Sequence, residues 1–115
     1  WARVLAQRPQ ARLRLQTKAL GDAAVAARLR DALAAAGIDP TRVDLHPAQP
    51  RAAYLAAHAE VDVLLDTFPF PGGTTTCEAL WMGVPVVTLA GDRLIARQGA
   101  SLLHAAGLAD WVAAD

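Results

Sequence analysis

"VDVLLDTFPFPGGTTTCEALWMGVPVVTL", residues 61–89, is the stretch whose reading decides the fold. It opens on a mostly apolar run, VDVLLD at 61–66, that reads as a strand buried on both faces. It closes on VPVVTL at 84–89, whose β-branched residues make the clearest strand of the chain. Between them a loop rich in proline and glycine, 67–74, leads into a short helix around 75–82 that Gly83 ends. Strand, crossover helix and strand within about thirty residues is the pattern of a parallel βαβ unit.

The same alternation continues on both sides. Upstream, residues 2–8 read as the end of a helix that Pro9 interrupts, and ARLRLQT at 11–17 alternates as a strand does. Asp22 is placed to cap a helix carrying Val25, Leu29, Leu33 and Ala36 at helical spacing, with Gly37 closing it. RVDLH at 42–46 is a further strand, and Pro50 at the first position would start a helix over 51–58. Downstream, Asp92 is expected to cap a helix over 93–105, with Leu94, Ile95, Leu102 and Leu103 making its apolar contacts. Residues 108–115 have room for at most one short element. The expected fold is therefore α/β, a Rossmann-like parallel sheet with helices on both faces, forming a single domain over residues 1–115. Ligands in such sheets bind beyond the carboxyl ends of the strands, here the loops 17–21, 47–50, 67–74 and 90–93.

Composition narrows the function. Of the 115 residues 54% are hydrophobic and 19% charged, which suits a folded domain rather than a disordered one. Lys plus Arg equals Asp plus Glu, so the broad basic footprint of a nucleic-acid binder is missing. No apolar run approaches a membrane span and no signal peptide is visible, so a cytoplasmic protein without a membrane partner is expected. The single cysteine, Cys77, excludes an internal disulfide and a multi-cysteine zinc site. With Trp1 first and Met82 the only methionine, the chain is expected to be a piece of a longer protein.

The loop before the short helix carries the chemistry. Gly72 and Gly73 let the backbone approach a ligand, and Thr74, Thr75 and Thr76 put hydroxyls where the helix begins. Unpaired amides and the helix dipole make that end attractive to an anion. A rival reading needs no ligand: TTCE is a capping box, with Thr75 as cap and Glu78 reaching back. A phosphate and Glu78 would also repel each other unless the carboxylate is directed elsewhere. Ribose offers two hydroxyl donors beside its phosphates, so a nucleotide would satisfy loop and glutamate together.

Residues 62–108, DVLLDTFPFPGGTTTCEALWMGVPVVTLAGDRLIARQGASLLHAAGL, resemble the C-terminal catalytic lobe of the O-linked N-acetylglucosamine transferase family, including bacterial members with TPR repeats and SPINDLY-like members. The similarity extends more loosely back to Trp1. It implies the second, nucleotide-sugar-binding lobe of a two-lobed GT-B glycosyltransferase. The donor implied is UDP-N-acetylglucosamine, the acceptor a Ser or Thr hydroxyl of a protein, and no metal or other cofactor is expected. On the family pattern Thr74 and Thr75 bind the diphosphate, and Glu78 stands where an acid holds the ribose. Gly73 falls where animal members have a phosphate-contacting His, so backbone amides would serve there instead. Gln49 matches a position that pairs with the base through its backbone. Arg51 replaces a Lys near the nucleotide, and Tyr54 replaces a base-stacking His. The catalytic residues of the family are expected upstream of this chain, so the chain by itself is expected to be inactive.

Other residues read more plainly. Trp81 and Cys77 are expected to pack as apolar residues of the short helix, and His46, His58 and His104 show no metal-ligand spacing. His46 ends a strand on the ligand rim, where a partly buried polar contact is its expected role. Asp66 is expected to hold the loop that follows it, Lys18 is a candidate to balance phosphate charge, and Arg93 and Arg97 are expected to be structural. Two rival functions remain: a GT-B transferase using another nucleotide sugar, because G-x-x-x-x-E-A-L followed by G-x-P-V recurs in such lobes, and a non-catalytic nucleotide-binding or interaction module of the same fold.

Overall fold

The structure is a computed structural model that describes residues 1–114. The chain forms two compact units, residues 1–50 and 51–115.

The first unit runs α1 (Ala2–Gln7), β1 (Leu13–Gln16), a 3-10 turn at Lys18–Gly21, α2 (Ala23–Ala35), a 3-10 turn at Pro40–Arg42 and β2 (Val43–His46). The two strands pair in parallel, from Leu13 opposite Val43 to Gln16 opposite His46. Asp22 caps α2 as expected, accepting from the Ala24 and Val25 amides at 2.8 and 3.3 Å. Gly37 ends it at φ 82°, and the Ile38 amide then bonds back to the Leu33 carbonyl. That turn drops Ile38 onto Leu33 and Leu5, the buried centre of the unit. Arg42 ties the end of α1 down, its guanidinium donating to the carbonyls of Leu5, Arg8 and Ala11. The Leu5 and Arg8 carbonyls also accept from the Arg8 and Ala11 amides, so the cation adds a second, charge-assisted partner where the short helix ends.

The second unit runs α3 (Arg51–Ala56), a 3-10 turn at Ala57–Glu60, β3 (Leu64–Leu65), α4 (Thr74–Trp81), β4 (Val86–Leu89), a 3-10 turn at Ile95–Arg97, α5 (Gln98–Ala105), a 3-10 turn at Ala109–Trp111 and β5 (Val112–Ala113). Its sheet is parallel throughout, in the order β3-β4-β5, with Leu64 opposite Val86 and Thr88 opposite Val112. Central β4 buries Val86 and Thr88, and Val86 packs with Ala79, Val84 and Leu103 in the core. Gly83, at φ 80°, lets the chain turn from α4 straight into β4.

Several expectations are corrected. The strand expected over 61–66 pairs only at Leu64–Leu65, and it is not buried on both faces, Leu65 being 39% exposed. β3 lies at the sheet edge with only its core-side residue covered. Trp81, expected in the core, is 87% exposed, and Cys77 is exposed too. The reason is helical geometry: α4 buries Thr76 and Ala79, and residues 77 and 81, one turn apart, lie about 200° round the helix from Ala79. The helix expected over 93–105 is a 3-10 turn followed by α5, and Asp92 does not cap it; the residue before α5 is Arg97. The Gly91 amide bonds to the Ala96 carbonyl, folding 92–95 back outside the helix and leaving Leu94 91% exposed. Pro50 precedes α3 rather than occupying its first turn, and the segment after 108 holds both a 3-10 turn and a strand instead of one element.

Leu103→Ala removes a fully buried side chain from this core. It is expected to cost about 2–5 kcal/mol in urea unfolding, whereas exposed Trp81→Ala should change stability by less than about 0.5 kcal/mol.

Candidate functional site

The loop between β3 and α4 is organised by one carboxylate. Asp66 continues the β3 ladder, its amide donating to the Val87 carbonyl at 2.9 Å. Its Oδ1 accepts from the Gly72 amide at 2.6 Å and from the Thr67 amide at 3.1 Å, while Oδ2 accepts from the Thr88 hydroxyl at 2.8 Å. The expectation that Asp66 holds its loop is met, and Thr88 is a partner the sequence did not indicate. Glycines make this possible by leaving room. A Cβ on Gly72 would lie 2.5 Å from Thr75 Oγ1 and 2.7 Å from Thr76 Oγ1, and one on Gly99 would collide with Asp66 and Thr88. α5 therefore packs directly against the carboxylate.

The capping box is not formed. α4 begins at Thr74 with Gly73 as its N-cap residue, and no side chain caps it. Glu78 is thereby the fifth residue of the helix, past the position from which a capping glutamate reaches back. Instead its Oε1 accepts from Arg51 Nη1 at 2.5 Å. The Glu78 side chain is 12% exposed and that of Arg51 71%, so the cation lies over a largely buried carboxylate. Glu78 Oε2 receives no hydrogen bond from the described residues.

Tyr54 lies one turn along α3 from Arg51 and meets the ring of His58 edge to face, with centroids 5.0 Å apart. His58 is buried and its Nδ1 lies 3.1 Å from the Tyr54 carbonyl, so it, rather than half-buried His46, is the most enclosed histidine. Burial, then the charge of Glu78, push the Tyr54 phenol above its ordinary range, and Arg51 opposes them.

Among the residues expected to bind nucleotide, the second unit brings together Gly73, Thr74 and Thr75 at the start of α4, and joins Glu78 to Arg51. Gln49 belongs to the first unit, where its Oε1 accepts from Gln16 Nε2 at 3.3 Å. Lys18 is exposed in a 3-10 turn of that unit. Arg97 has the structural role expected, donating to the Gly91 carbonyl. Gln98 was not singled out from the sequence, yet it lies against Gly73, 25 positions away along the chain. No local pattern reveals such a contact, because it depends on how α5 packs. An open, mainly apolar cavity of about 640 Å³ is lined by Arg93, Leu94, Ile95, Gln98 and Ser101. Among the described residues no three His, Cys, Asp or Glu side chains gather as metal ligands would, and no helix is long and apolar enough to cross a membrane.

Tyr54 is the only tyrosine, so its titration can be followed by phenolate absorbance. Its midpoint should lie above the ordinary tyrosine value, and Glu78→Gln should lower it by removing the neighbouring charge while burial remains. With the folded value raised, the associated stabilisation is complete below the ordinary value and is lost as pH rises through the raised one. An ordinary midpoint, or one that Glu78→Gln leaves unmoved, would contradict this account of the site.

Comparison with known proteins agrees with the architecture. Residues 1–115 match glycosyl transferase family 41. A probable UDP-N-acetylglucosamine–peptide N-acetylglucosaminyltransferase SPINDLY of Petunia hybrida is 42% identical over 114 residues, covering 98% of this chain and 12% of that protein. The rice protein of the same name, from Oryza sativa subsp. japonica, is 40% identical over the same share. In structure, an O-GlcNAc transferase variant of Thermobaculum terrenum superposes with a TM-score of 0.95 at 46% identity, covering 100% of this chain and 22% of that one. The chain thus spans about an eighth of these plant relatives' length, and its α/β fold with parallel strands is the one expected for a GT-B catalytic lobe. On a match along its whole length, the chain belongs to glycosyl transferase family 41.

Proposed function

We propose that this chain is the UDP-N-acetylglucosamine-binding part of an inverting glycosyltransferase that transfers the sugar to Ser or Thr hydroxyls of proteins. The observation that carries the reading is the Arg51–Glu78 pair beside an uncapped helix start. A carboxylate one turn into α4 would oppose a diphosphate at its N-terminus, and a guanidinium held on that carboxylate offsets the repulsion. Glu78 then keeps Oε2 for the ribose hydroxyls while Oε1 stays with Arg51.

In this reading the diphosphate sits on the first-turn amides of α4, with Thr74 and Thr75 adding hydroxyl donors beside Gly73. Tyr54 offers an aromatic surface to the base. When the acceptor hydroxyl attacks the anomeric carbon, its proton passes to a base on the acceptor side, the sugar–phosphate bond breaks and the electron pair leaves on the UDP β-phosphate. The helix amides and threonine hydroxyls hold the charge that builds on this leaving group. The names of the relatives support the donor and acceptor classes. The TPR repeats, the acceptor-side catalytic groups and the cytoplasmic setting belong to the same proposal, as parts of a longer protein.

Calorimetric titration tests the donor assignment. UDP should bind more tightly than GDP or ADP, and Glu78→Ala should weaken UDP by about ten- to a hundredfold. Equal UDP affinity in wild type and variant would remove Glu78 from the site, and GDP or ADP matching UDP would point to another nucleotide sugar. The chain on its own should give no detectable transfer in a peptide glycosylation assay, and measurable transfer would show that the acceptor-side chemistry lies within residues 1–115.

A further inference from the structure

Gln98 is the first residue of α5, and its carboxamide points at the helix start of α4. A Cβ built on Gly73 would lie 2.8 Å from Gln98 Nε2, 3.4 Å from its Cδ and 3.6 Å from its Oε1. Gln98 therefore fills the room that Gly73 leaves open, with the nitrogen end of the amide nearest. The carboxamide makes no capping hydrogen bond to α4. The nitrogen end of the amide, a donor, thus lies beside Gly73, the residue before a helix start that no side chain caps. The carboxamide forms no hydrogen bond with the described residues. In the same turn the Thr76 hydroxyl is fully buried beside Gly72 and has no hydrogen-bond partner among the described residues. Donors gathered without an acceptor leave a gap that an anion's oxygens would complete.

The position of Gln98 is set by its neighbour. Gly99 packs onto Asp66 and Thr88 with no room for a side chain, so α5 is held against the loop at the residue next to Gln98. The donor is thus anchored to the same carboxylate that shapes the Gly72 turn.

We propose that Gln98 is a phosphate-binding residue, whose Nε2, placed in the space beside Gly73, donates a hydrogen bond to the diphosphate at the start of α4. This rests on the nucleotide reading above and adds a contact from α5 to it. A neutral amide suits the place, because it adds a donor without competing with Arg51 for Glu78.

The test is calorimetric titration of the intact protein with UDP and with uridine, which lacks the phosphates, for wild type, Gln98→Ala and Gln98→Glu. Gln98→Ala should bind UDP about tenfold more weakly. Gln98→Glu, with a like charge replacing a donor, should bind it about a hundredfold more weakly. Uridine affinity should be the same in all three. If wild type binds UDP no more tightly than uridine, the phosphate site at α4 itself fails. If wild type prefers UDP and both variants keep that preference, the site stands and the role of Gln98 is overturned. A lowered unfolding midpoint with the UDP preference intact would make Gln98 a helix cap and would equally overturn it. Parallel losses for UDP and uridine would do the same, since a phosphate contact cannot weaken a ligand without phosphates.

Discussion

The second unit depends on the Asp66 carboxylate. A single side chain at the end of β3 joins the strand, the Gly72 turn, the hydroxyl of central β4 and, through the space at Gly99, the start of α5. Its donors are strong ones, because hydrogen bonds to a charged acceptor are worth about 1.5–3 kcal/mol each. Thr88 is buried, so without Asp66 its hydroxyl would lose a partner where water does not replace it. The carboxylate thus acts through geometry: it brings the N-termini of two helices, α4 and α5, to one loop.

A second constraint is electrostatic. The start of α4 carries positive potential from its free amides, yet Glu78 stands one turn away. The charges are reconciled by Arg51, which covers Glu78 from the first residue of α3. The pair leaves Oε2 without a hydrogen bond from the described residues and keeps the guanidinium exposed. Tyr54 registers the same field, its phenol displaced by burial and by Glu78 in one direction and by Arg51 in the other.

Much of this was legible in the residues. The Asp22 cap, the Gly37 and Gly83 helix ends and the parallel strands at 13–16, 43–46 and 86–89 follow from local rules of capping, turning and alternation. The capping box stayed open as a rival reading because its pattern is local while its formation depends on which threonine starts the helix. A start at Thr74 carries Glu78 out of reach. Trp81 and Leu94 were misread for a different reason. An apolar side chain says that burial is favourable, but the helix face or turn on which it falls decides whether any neighbour is there to bury it.

By itself the sequence determined the family and the α/β class, because these lie in contiguous residues and their spacing. Only the tertiary structure decided the partners. Arg51 and Glu78 are 27 positions apart, Asp66 and Thr88 are 22, and Gly73 and Gln98 are 25. No helical or strand period relates such pairs. Parallel crossovers return the chain to the same end of the sheet, and glycine at 73 and 99 leaves the space that Gln98 and the Asp66–Thr88 pair occupy.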